Sequence, residues 1–312
     1  MCARCWSGDP AVTEPVDLDP AAILAALGLP VPERVERVRG GADAAIWRVE
    51  VAGEAYALRV LWPVQAGQAA WETAAMRAAA AGGVPVPTIV AEGDWRGHPA
   101  TLMAWAAGRT LAEELLADPL NLDHVRALGA DLGRVQAAIH ALPVTDELSG
   151  HPESWPAWVG SDLVVQARLA EVEAQPAAVI HLDLHPLNVL VEGARVTAVL
   201  DWANQRIGDP RADIARTRSI LGLAPLPDGI DRAAATAALR ALEASWLAAY
   251  EGVAGPVGDL APFCRWAGAV MQRDLGRWVG RADLPWLTEE YLERVRRWTA
   301  GWRRYPRRSR LH

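Results

Sequence analysis

Apolar and polar residues alternate with a period of two in the first hundred residues, which predicts a β-rich region. The run Ile46–Val51 alternates, and Tyr56–Leu61 is a second β-type run. The residues between them, 52–54, carry a turn signal, so the two runs predict a hairpin. Residues 68–81 are alanine-rich and end at Gly82-Gly83, which predicts one helix. Further strands are predicted at 35–38, 89–92 and 100–105.

The pattern becomes mainly helical after Gly108. Apolar residues within 124–141 recur at helical spacing, and helices predominate from residue 212 onward. Residues 176–203 interrupt the helices with a second strand-and-turn pattern. We therefore expect an α+β protein with a small β-rich lobe that contains one helix and a larger, mainly helical lobe. A cleft between two lobes is a common ligand location.

Three consecutive parts follow from these changes of pattern. We expect an N-terminal extension with a short helix over residues 1–30, the β-rich lobe over 31–105 and the helical lobe over 106–312. The arginine-rich end, 303–310, is expected to be solvated.

Composition and charge argue against several classes of protein. The chain has 312 residues, a net charge of −7 and no lysine, so all 31 of its strongly basic side chains are arginines. An acidic chain does not suit a nucleic-acid binder that neutralises phosphates. Its three cysteines favour a reducing compartment over a disulfide framework. Without a long apolar stretch or a secretory pattern, we expect a cytoplasmic protein with no membrane partner, either a monomer or a homodimer.

Candidate chemistry lies in the segment from residue 179 to 201. Asp183 and Asn188 lie on a predicted loop between two β runs, and Asp201 follows a further β run after the turn at Glu192-Gly193. A hairpin would bring Asp201 back beside Asn188. Carboxylate and amide oxygens suit Mg²⁺, and Asp183 could orient a hydroxyl group and accept its proton. A base, a metal clamp and a positioned phosphate are what phosphoryl transfer requires.

The motifs in this order resemble those of the aminoglycoside phosphotransferase and choline kinase family, whose members have a protein-kinase-like fold. The catalytic pattern H-x-D-x-x-x-x-N stands here as residues 181–188, followed by Asp201. Residues 208–213, Gly-Asp-Pro-Arg-Ala-Asp, resemble a second family motif, and 102–111 resemble the connector between the lobes. The Gly40-Gly41 segment resembles the nucleotide loop. The resemblance implies a kinase that transfers the γ-phosphoryl group of ATP or GTP to a hydroxyl group of a small molecule.

The resemblance also implies roles for individual residues. Asp183 would be the catalytic base, and Asn188 and Asp201 would hold Mg²⁺. Arg59 would contact the nucleotide phosphates and pair with Glu72. Many relatives have lysine at the position of Arg59. The backbone of the connector would hydrogen-bond the purine, and glycine amides would cover the phosphates. The residues with these last two roles are Met103, Ala104, Ala106, Gly40 and Gly41.

Two leucines depart from the family pattern, which usually has glycine at both positions. Leu182 follows the motif histidine and is expected to be buried, whereas Leu187 precedes the motif asparagine and is expected to border the acceptor or phosphate space. His181 and Asp213 are expected to stabilise the loop through hydrogen bonds. Neither leucine removes a catalytic group, so the departures bear on the acceptor.

The acceptor itself is left open by the sequence. Carboxylates would favour an aminoglycoside, an aromatic cage a quaternary amine, and a broad apolar pocket a macrolide. Two other classes of function also remain: a catalytically silent nucleotide-binding module of the same fold and a Ser/Thr protein kinase. The candidate acceptor residues are Asp274, Asp283, Glu289, Glu290, Trp202, Trp266, Trp278, Trp286 and Tyr291.

Overall fold

The computed structural model describes residues 18–38, 44–227, 229–282 and 284–302. Its N-terminal part is a five-stranded antiparallel sheet with the order β1-β2-β3-β5-β4 and one long helix, α2. A short helix, α1, precedes the sheet. These elements are α1 (Pro20–Ala26), β1 (Arg34–Val38), β2 (Ala44–Val51), β3 (Glu54–Leu61), α2 (Ala66–Ala81), β4 (Ile89–Trp95) and β5 (His98–Ala104).

The hairpin predicted from the alternating pattern is formed by β2 and β3. Its register pairs Ile46 with Arg59, and the turn residues Ala52 and Gly53 both have positive φ, as a two-residue hairpin turn requires. Alternate residues of β2 point into the core, where Trp47 and Val49 pack in one cluster with residues of α1. The hairpin therefore lies in the middle of the sheet with its inner face covered.

The rest of the described chain is mainly helical. Two small sheets, β6-β8-β9 and β7-β10, interrupt the helices. The elements are β6 (Arg109–Thr110), α3 (Leu111–Ala117), α4 (Leu122–His140), α5 (Leu163–Ala170), β7 (Ala178–Ile180), β8 (Val189–Glu192), β9 (Arg195–Val199), β10 (Arg206–Gly208), α6 (Pro210–Leu223), α7 (Arg232–Ala254), α8 (Ala261–Gly276) and α9 (Glu289–Gly301).

This architecture confirms the predicted fold class, an α+β protein with a β-rich lobe and a mainly helical lobe. The sequence pattern did not predict α5 or the short 3-10 helix Trp155–Val159. Both are too short for helical periodicity to be visible. No helix within the described ranges is long and apolar enough to cross a membrane.

Helices α4 and α7 pack with their backbones in close approach. Gly129 and Gly133 of α4 face α7, and a Cβ atom at Gly133 would meet the carbonyl oxygen of Trp246 and lie 2.9 Å from the amide of Tyr250. Buried polar groups link the same helices, because Trp246 Nε1 donates to Gln136 Oε1 at 2.8 Å. Small residues are therefore required on this face of α4. Helix α7 also contacts α6.

We expect Gly133→Ala to lower the free energy of unfolding by about 1–3 kcal/mol, because the added methyl group meets backbone atoms that cannot rotate away. The control is Gly252→Ala on α7, where an added Cβ meets nothing within 4 Å. That change should be neutral or stabilising by up to about 1 kcal/mol, since alanine is the better helix former. Urea unfolding measures both. Equal effects of the two substitutions would contradict the close packing of α4 and α7.

Candidate active site

Residues 181–188 form a loop between β7 and β8, and Asp213 of α6 holds the start of that loop. The buried Asp213 carboxylate accepts hydrogen bonds from the amides of His181, at 3.2 Å, and Leu182, at 2.6 Å. His140 at the end of α4 donates Nε2–H to the same carboxylate at 2.9 Å. Burial alone raises the pKa of Asp213, but the hydrogen bond and charge of His140 outweigh it, so the pKa is lowered. Asp213 is thus an ionised brace for the loop.

His181 stabilises the loop through both ring nitrogens. Its Nδ1 atom accepts from the amide of Asp183 at 3.2 Å, and its Nε2–H donates to the carbonyl of Leu200 at 3.2 Å. The ring also packs edge-on against Trp202, with centroids 4.8 Å apart. The expected structural role of His181 therefore agrees with its contacts.

Asp183 is buried at the centre of this loop. The side-chain amide of Asn188 donates to the Asp183 carbonyl at 3.1 Å and to Oδ2 at 3.3 Å. On the other side, His185 Nε2 lies 3.7 Å and Arg216 Nη2 lies 3.9 Å from Oδ1. Burial alone raises the pKa of Asp183, but its interactions with His185 and with the charge of Arg216 outweigh burial, so the pKa is lowered. Asp183 is therefore an ionised hydrogen-bond acceptor with a fixed direction.

Asn188 and Asp201 are brought together by the hairpin of β8 and β9, as the sequence predicts. The amide of Leu200 donates to the carbonyl of Asn188 at 2.8 Å. Asp201 follows with left-handed backbone angles, φ 59° and ψ 72°, which turn the chain sharply at this residue. Because the Asn188 nitrogen is engaged by Asp183, its amide oxygen is the atom that can face a cation. The donor set is one carboxylate and one amide oxygen, which fits a hard divalent cation such as Mg²⁺.

Arg59 of β3 and Glu72 of α2 form an ion pair, with Nη1 and Oε1 2.5 Å apart. Glu72 is buried, and Gln68 also donates to it at 3.5 Å. Burial raises the pKa of Glu72, the charge of Arg59 opposes this, and the charge of Asp201 adds to it, so the net shift is upward. Helix α2 also contacts the segment after Asp201, since Nε1 of Trp71 on α2 donates to the Ala203 carbonyl at 3.3 Å. The ion pair of the β-rich lobe thus lies beside the candidate metal ligands.

The connector between the lobes uses part of its backbone in the sheet. The amide of Ala104 donates to the carbonyl of Thr88 at 2.8 Å, and that of Trp105 donates to the Ala55 carbonyl at 3.1 Å. Of the backbone groups of Ala104, only the carbonyl can therefore bind a ligand. Met103 packs against the core of the helical lobe.

Several predicted residues fall outside the described part of the chain. These are Gly40, Gly41 and Asp283.

The other candidate acceptor residues are not gathered at the loop, although Trp202 contacts it through the ring of His181. Trp202 and Trp266 are fully buried in the main core, and Asp274 is buried beside Arg277. The two glutamates, Glu289 and Glu290, are exposed in the first turn of α9. The remaining aromatic residues belong to a separate apolar cluster between α6, α8 and α9; they are Trp278, Trp286 and Tyr291.

An apolar cavity of about 200 Å³ adjoins the loop. Leu187, one of the two departures from the family pattern, lines it together with the neighbouring Pro186 and His185. None of the side chains that line it in the described part of the chain is acidic. Helices α3, α6 and α7 supply most of the other walls, including Leu115, Leu116, Ile220 and Leu239.

Arg216 lies near the site, although the sequence motifs did not single it out. It follows Asp213 by three residues on α6, so both side chains extend from one face of that helix. This spacing is visible in the sequence, but its meaning depends on knowing that the face meets the loop.

The fold and these residues define a protein-kinase-like phosphotransferase class: a sheet with an Arg–Glu pair and a loop that carries the predicted base, Asp183, and one predicted oxygen ligand, Asn188, with the other, Asp201, beside it. A family model described as the phosphotransferase enzyme family matches residues 34–256. The chain belongs to this family, which confirms the resemblance found in its motifs. A curated relative, the uncharacterized protein YcbJ of Bacillus subtilis (strain 168), is 32% identical over 71 residues, or 22% of this chain and 21% of the relative.

Solved structures show the same fold at low sequence identity. A thermostable mutant of aminoglycoside phosphotransferase APH(4)-Ia, in complex with ADP and hygromycin B, has a TM-score of 0.62 at 17% identity, and the match covers 90% of this chain and 96% of that one. Amicoumacin kinase hAmiN with AMP-PNP and Ca²⁺ has a TM-score of 0.65 at 16% identity, covering 91% and 93%. Spectinomycin phosphotransferase APH(9)-Ia with ADP and spectinomycin has a TM-score of 0.63 at 11% identity, covering 90% and 97%.

We expect Asp213→Asn to lower the free energy of unfolding by about 1–3 kcal/mol, because an amide group would leave one buried donor of the loop without an acceptor. Asp123→Asn serves as the control, since its side chain is 96% exposed and makes only a surface ion pair with Arg126. Chemical denaturation followed by tryptophan fluorescence compares them. If both variants unfold like the wild type, Asp213 does not brace the loop.

Proposed function

We propose that this protein is a small-molecule kinase that transfers the γ-phosphoryl group of ATP or GTP to a hydroxyl group, with Mg²⁺ held by Asn188 and Asp201. The observation that carries the proposal is that Asp183 and Asn188 lie on one braced loop, and the β8–β9 hairpin brings Asp201 beside it, next to the Arg59–Glu72 pair. Membership of the phosphotransferase enzyme family supports it. The structural relatives solved with ADP or AMP-PNP and with small antibiotics support a nucleotide and a small acceptor.

Each group has a physical task in this reaction. Asp183 would accept a hydrogen bond from the acceptor hydroxyl and direct its oxygen toward the γ-phosphorus. Because the pKa of Asp183 is lowered, this carboxylate orients the hydroxyl first and takes its proton only as the oxygen–phosphorus bond forms. The bond between the γ-phosphorus and the β,γ-bridging oxygen breaks, and the nucleoside diphosphate leaves with that oxygen. Bound Mg²⁺ would neutralise charge on the β- and γ-phosphate oxygens.

The nucleotide would lie between the sheet and the loop. Arg59, held by Glu72, would present its guanidinium to the α- and β-phosphates, and its planar fork allows two parallel hydrogen bonds. The backbone of the connector would bind the purine edge through the carbonyl of Ala104 and the amide of Ala106, with Met103 beside it. The amides of the Gly40-Gly41 segment would cover the phosphates. Both ATP and GTP are compatible with backbone binding of this kind.

The acceptor would have an apolar portion next to its reacting hydroxyl. The cavity beside His185, Pro186 and Leu187 has no acidic lining among the described residues, which favours an apolar acceptor, such as a macrolide, over a polycationic aminoglycoside. A surface without carboxylates offers nothing to compensate for the desolvation of ammonium groups.

The first test is release of nucleoside diphosphate in the presence of Mg²⁺ across a panel of macrolides, aminoglycosides, choline, homoserine, amino sugars and nucleosides. We expect a compound-dependent signal that Asp183→Asn lowers by about 10²–10⁴-fold, because the hydroxyl loses its acceptor and base. Nucleotide affinity, measured by calorimetry, should stay close to that of the wild type. Turnover within tenfold of the wild type in the variant would refute the role of Asp183.

Two further measurements separate the rival functions. Binding of the Mg-nucleotide without transfer to any compound would favour a silent nucleotide-binding module. Phosphate incorporated into protein substrates would favour a protein kinase.

The apolar acceptor site has its own test. We expect Leu116→Glu, which puts a charge at the rim of the cavity, to raise the KM of the acceptor by about tenfold or more through lost apolar contact, while leaving the KM of the nucleotide unchanged. The matched control is Leu120→Glu, since Leu120 is 76% exposed and lies outside the cavity lining. Steady-state kinetics with the best compound of the panel gives both constants. An unchanged acceptor KM would show that the acceptor binds elsewhere.

A further inference from the structure

Leu182 has an unusual backbone conformation for its residue type. Its φ angle is 63°, in the left-handed region that glycine enters readily and that leucine avoids because Cβ meets the following carbonyl. Its side chain is fully buried in the main core, so the residue cannot relax by moving outward. A strained residue of this kind persists only where its surroundings hold it.

Helix α6 holds the peptide groups on both sides of Leu182. Asp213 Oδ1 accepts from the Leu182 amide at 2.6 Å, and Arg216 Nε donates to the Leu182 carbonyl at 3.3 Å. The two side chains are three residues apart on one helix face, so a single rigid element supplies both contacts. The carbonyl of Leu182 belongs to the peptide group that leads into Asp183. Its direction therefore affects where the Asp183 carboxylate points.

The guanidinium of Arg216 also faces the carboxylate itself. Nη2 lies 3.9 Å from Asp183 Oδ1, and the group lies near the ring of Trp158, with Cζ 5.1 Å from its centroid. The side chain is only 1% exposed. Within the described residues, Nη1 makes no hydrogen bond. A buried cation with incomplete hydrogen bonding is costly, and Asp183 and Trp158 provide its compensation.

We propose that Arg216 is a positioning residue for phosphoryl transfer, which holds the Leu182 carbonyl and faces the Asp183 carboxylate so that the loop keeps its reactive geometry with leucine at position 182. This inference rests on the proposed function. It assigns to α6 a second contact beyond the Asp213 brace. It also explains how the loop accepts leucine where the family pattern has glycine: the arginine supplies the support that a glycine would not need.

The alternative role for Arg216 is simple packing against Trp158. Arg216→Met tests this directly, because methionine keeps much of the volume and the apolar contact but removes the hydrogen bond and the charge. If Arg216 positions the loop, we expect kcat for MgATP turnover to fall about 10–100-fold, while the KM for MgATP stays within about twofold, since the lost contact is to the base and not to the nucleotide. Arg216→Lys should restore part of kcat, because an ammonium group keeps the charge but lacks the two-point fork.

Arg218→Met is the matched control. Arg218 lies two residues further along α6, pairs with Glu243 at 2.7 Å and has its Cζ 5.1 Å from the ring centre of Trp302. The variant therefore loses an ion pair and a cation–π contact like those of Arg216, but not at the loop. We expect kcat within about twofold of the wild type, the typical outcome for a partly exposed ion pair.

The decisive measurement is a double-mutant cycle that combines Arg216→Met with Leu182→Gly. Glycine adopts the left-handed conformation without strain, so the loss of kcat caused by Arg216→Met should be at least about fivefold smaller when Leu182→Gly is present than in the wild-type background. The same coupling should appear in urea unfolding, where Arg216→Met destabilises the wild-type protein more than the Leu182→Gly variant. This second readout requires no acceptor.

The assay uses the full chain, MgATP and water as the acceptor, with ADP release as the signal. If that signal does not depend on Asp183, hydrolysis does not report on the base, and the unfolding cycle alone judges the contact between Arg216 and Leu182. The proposed function is judged separately, by transfer to the acceptor panel. Coupling in the cycle together with an unchanged nucleotide KM supports the inference. Equal losses in both backgrounds, or an Arg216→Met variant that retains kcat within about twofold, overturn it.

Discussion

The buried carboxylate of Asp213 is the interaction on which the candidate site depends. Two adjacent amides, those of His181 and Leu182, point at one ionised side chain, and this fixes the direction in which the chain leaves β7. His140 also donates to this buried carboxylate and helps to keep it ionised. The Nδ1 atom of His140 in turn lies within hydrogen-bond distance of the hydroxyl of Tyr250, at 2.8 Å. The loop is thus tied through one hydrogen-bonded chain to α4, α6 and α7.

Rigidity at this point has a consequence for the two proposed metal ligands. Asn188 uses its amide nitrogen on Asp183 and its backbone carbonyl on Leu200, so its side-chain oxygen has little freedom. Asp201 lies one residue beyond Leu200 and is oriented by its own left-handed backbone. The proposed base and the proposed ligands are therefore positioned by the same set of backbone contacts. A ligand arriving at this site meets groups that are already oriented, which reduces the entropy that binding and reaction must overcome.

Local pattern was sufficient to predict the elements that carry the site but not the contacts that hold it. The hairpin of β2 and β3 was predictable because alternation and a two-residue turn are local signals, and the convergence of Asn188 and Asp201 followed from a hairpin in the same way. The contact between Arg216 and Leu182 joins residues 34 positions apart and depends on how α6 packs. The hydrogen bond of the Ala104 amide likewise depends on the pairing of β4 and β5, which no local pattern gives. The small residues of α4 acquire a meaning only once α7 is known to lie against them.

The absence of lysine shapes the electrostatics of this site. Every strongly basic side chain of the chain is an arginine, and two of those at the candidate site, Arg59 and Arg216, are largely buried. A guanidinium tolerates burial better than an ammonium group because it is more weakly hydrated and spreads its donors over a plane. That plane allows Arg216 to face a carbonyl, a carboxylate and an indole ring at once. An ammonium group, whose three donors share one nitrogen, could not make these contacts with the same geometry. The composition of the chain, whatever its origin, thus provides the kind of cation that a buried and braced catalytic loop can use.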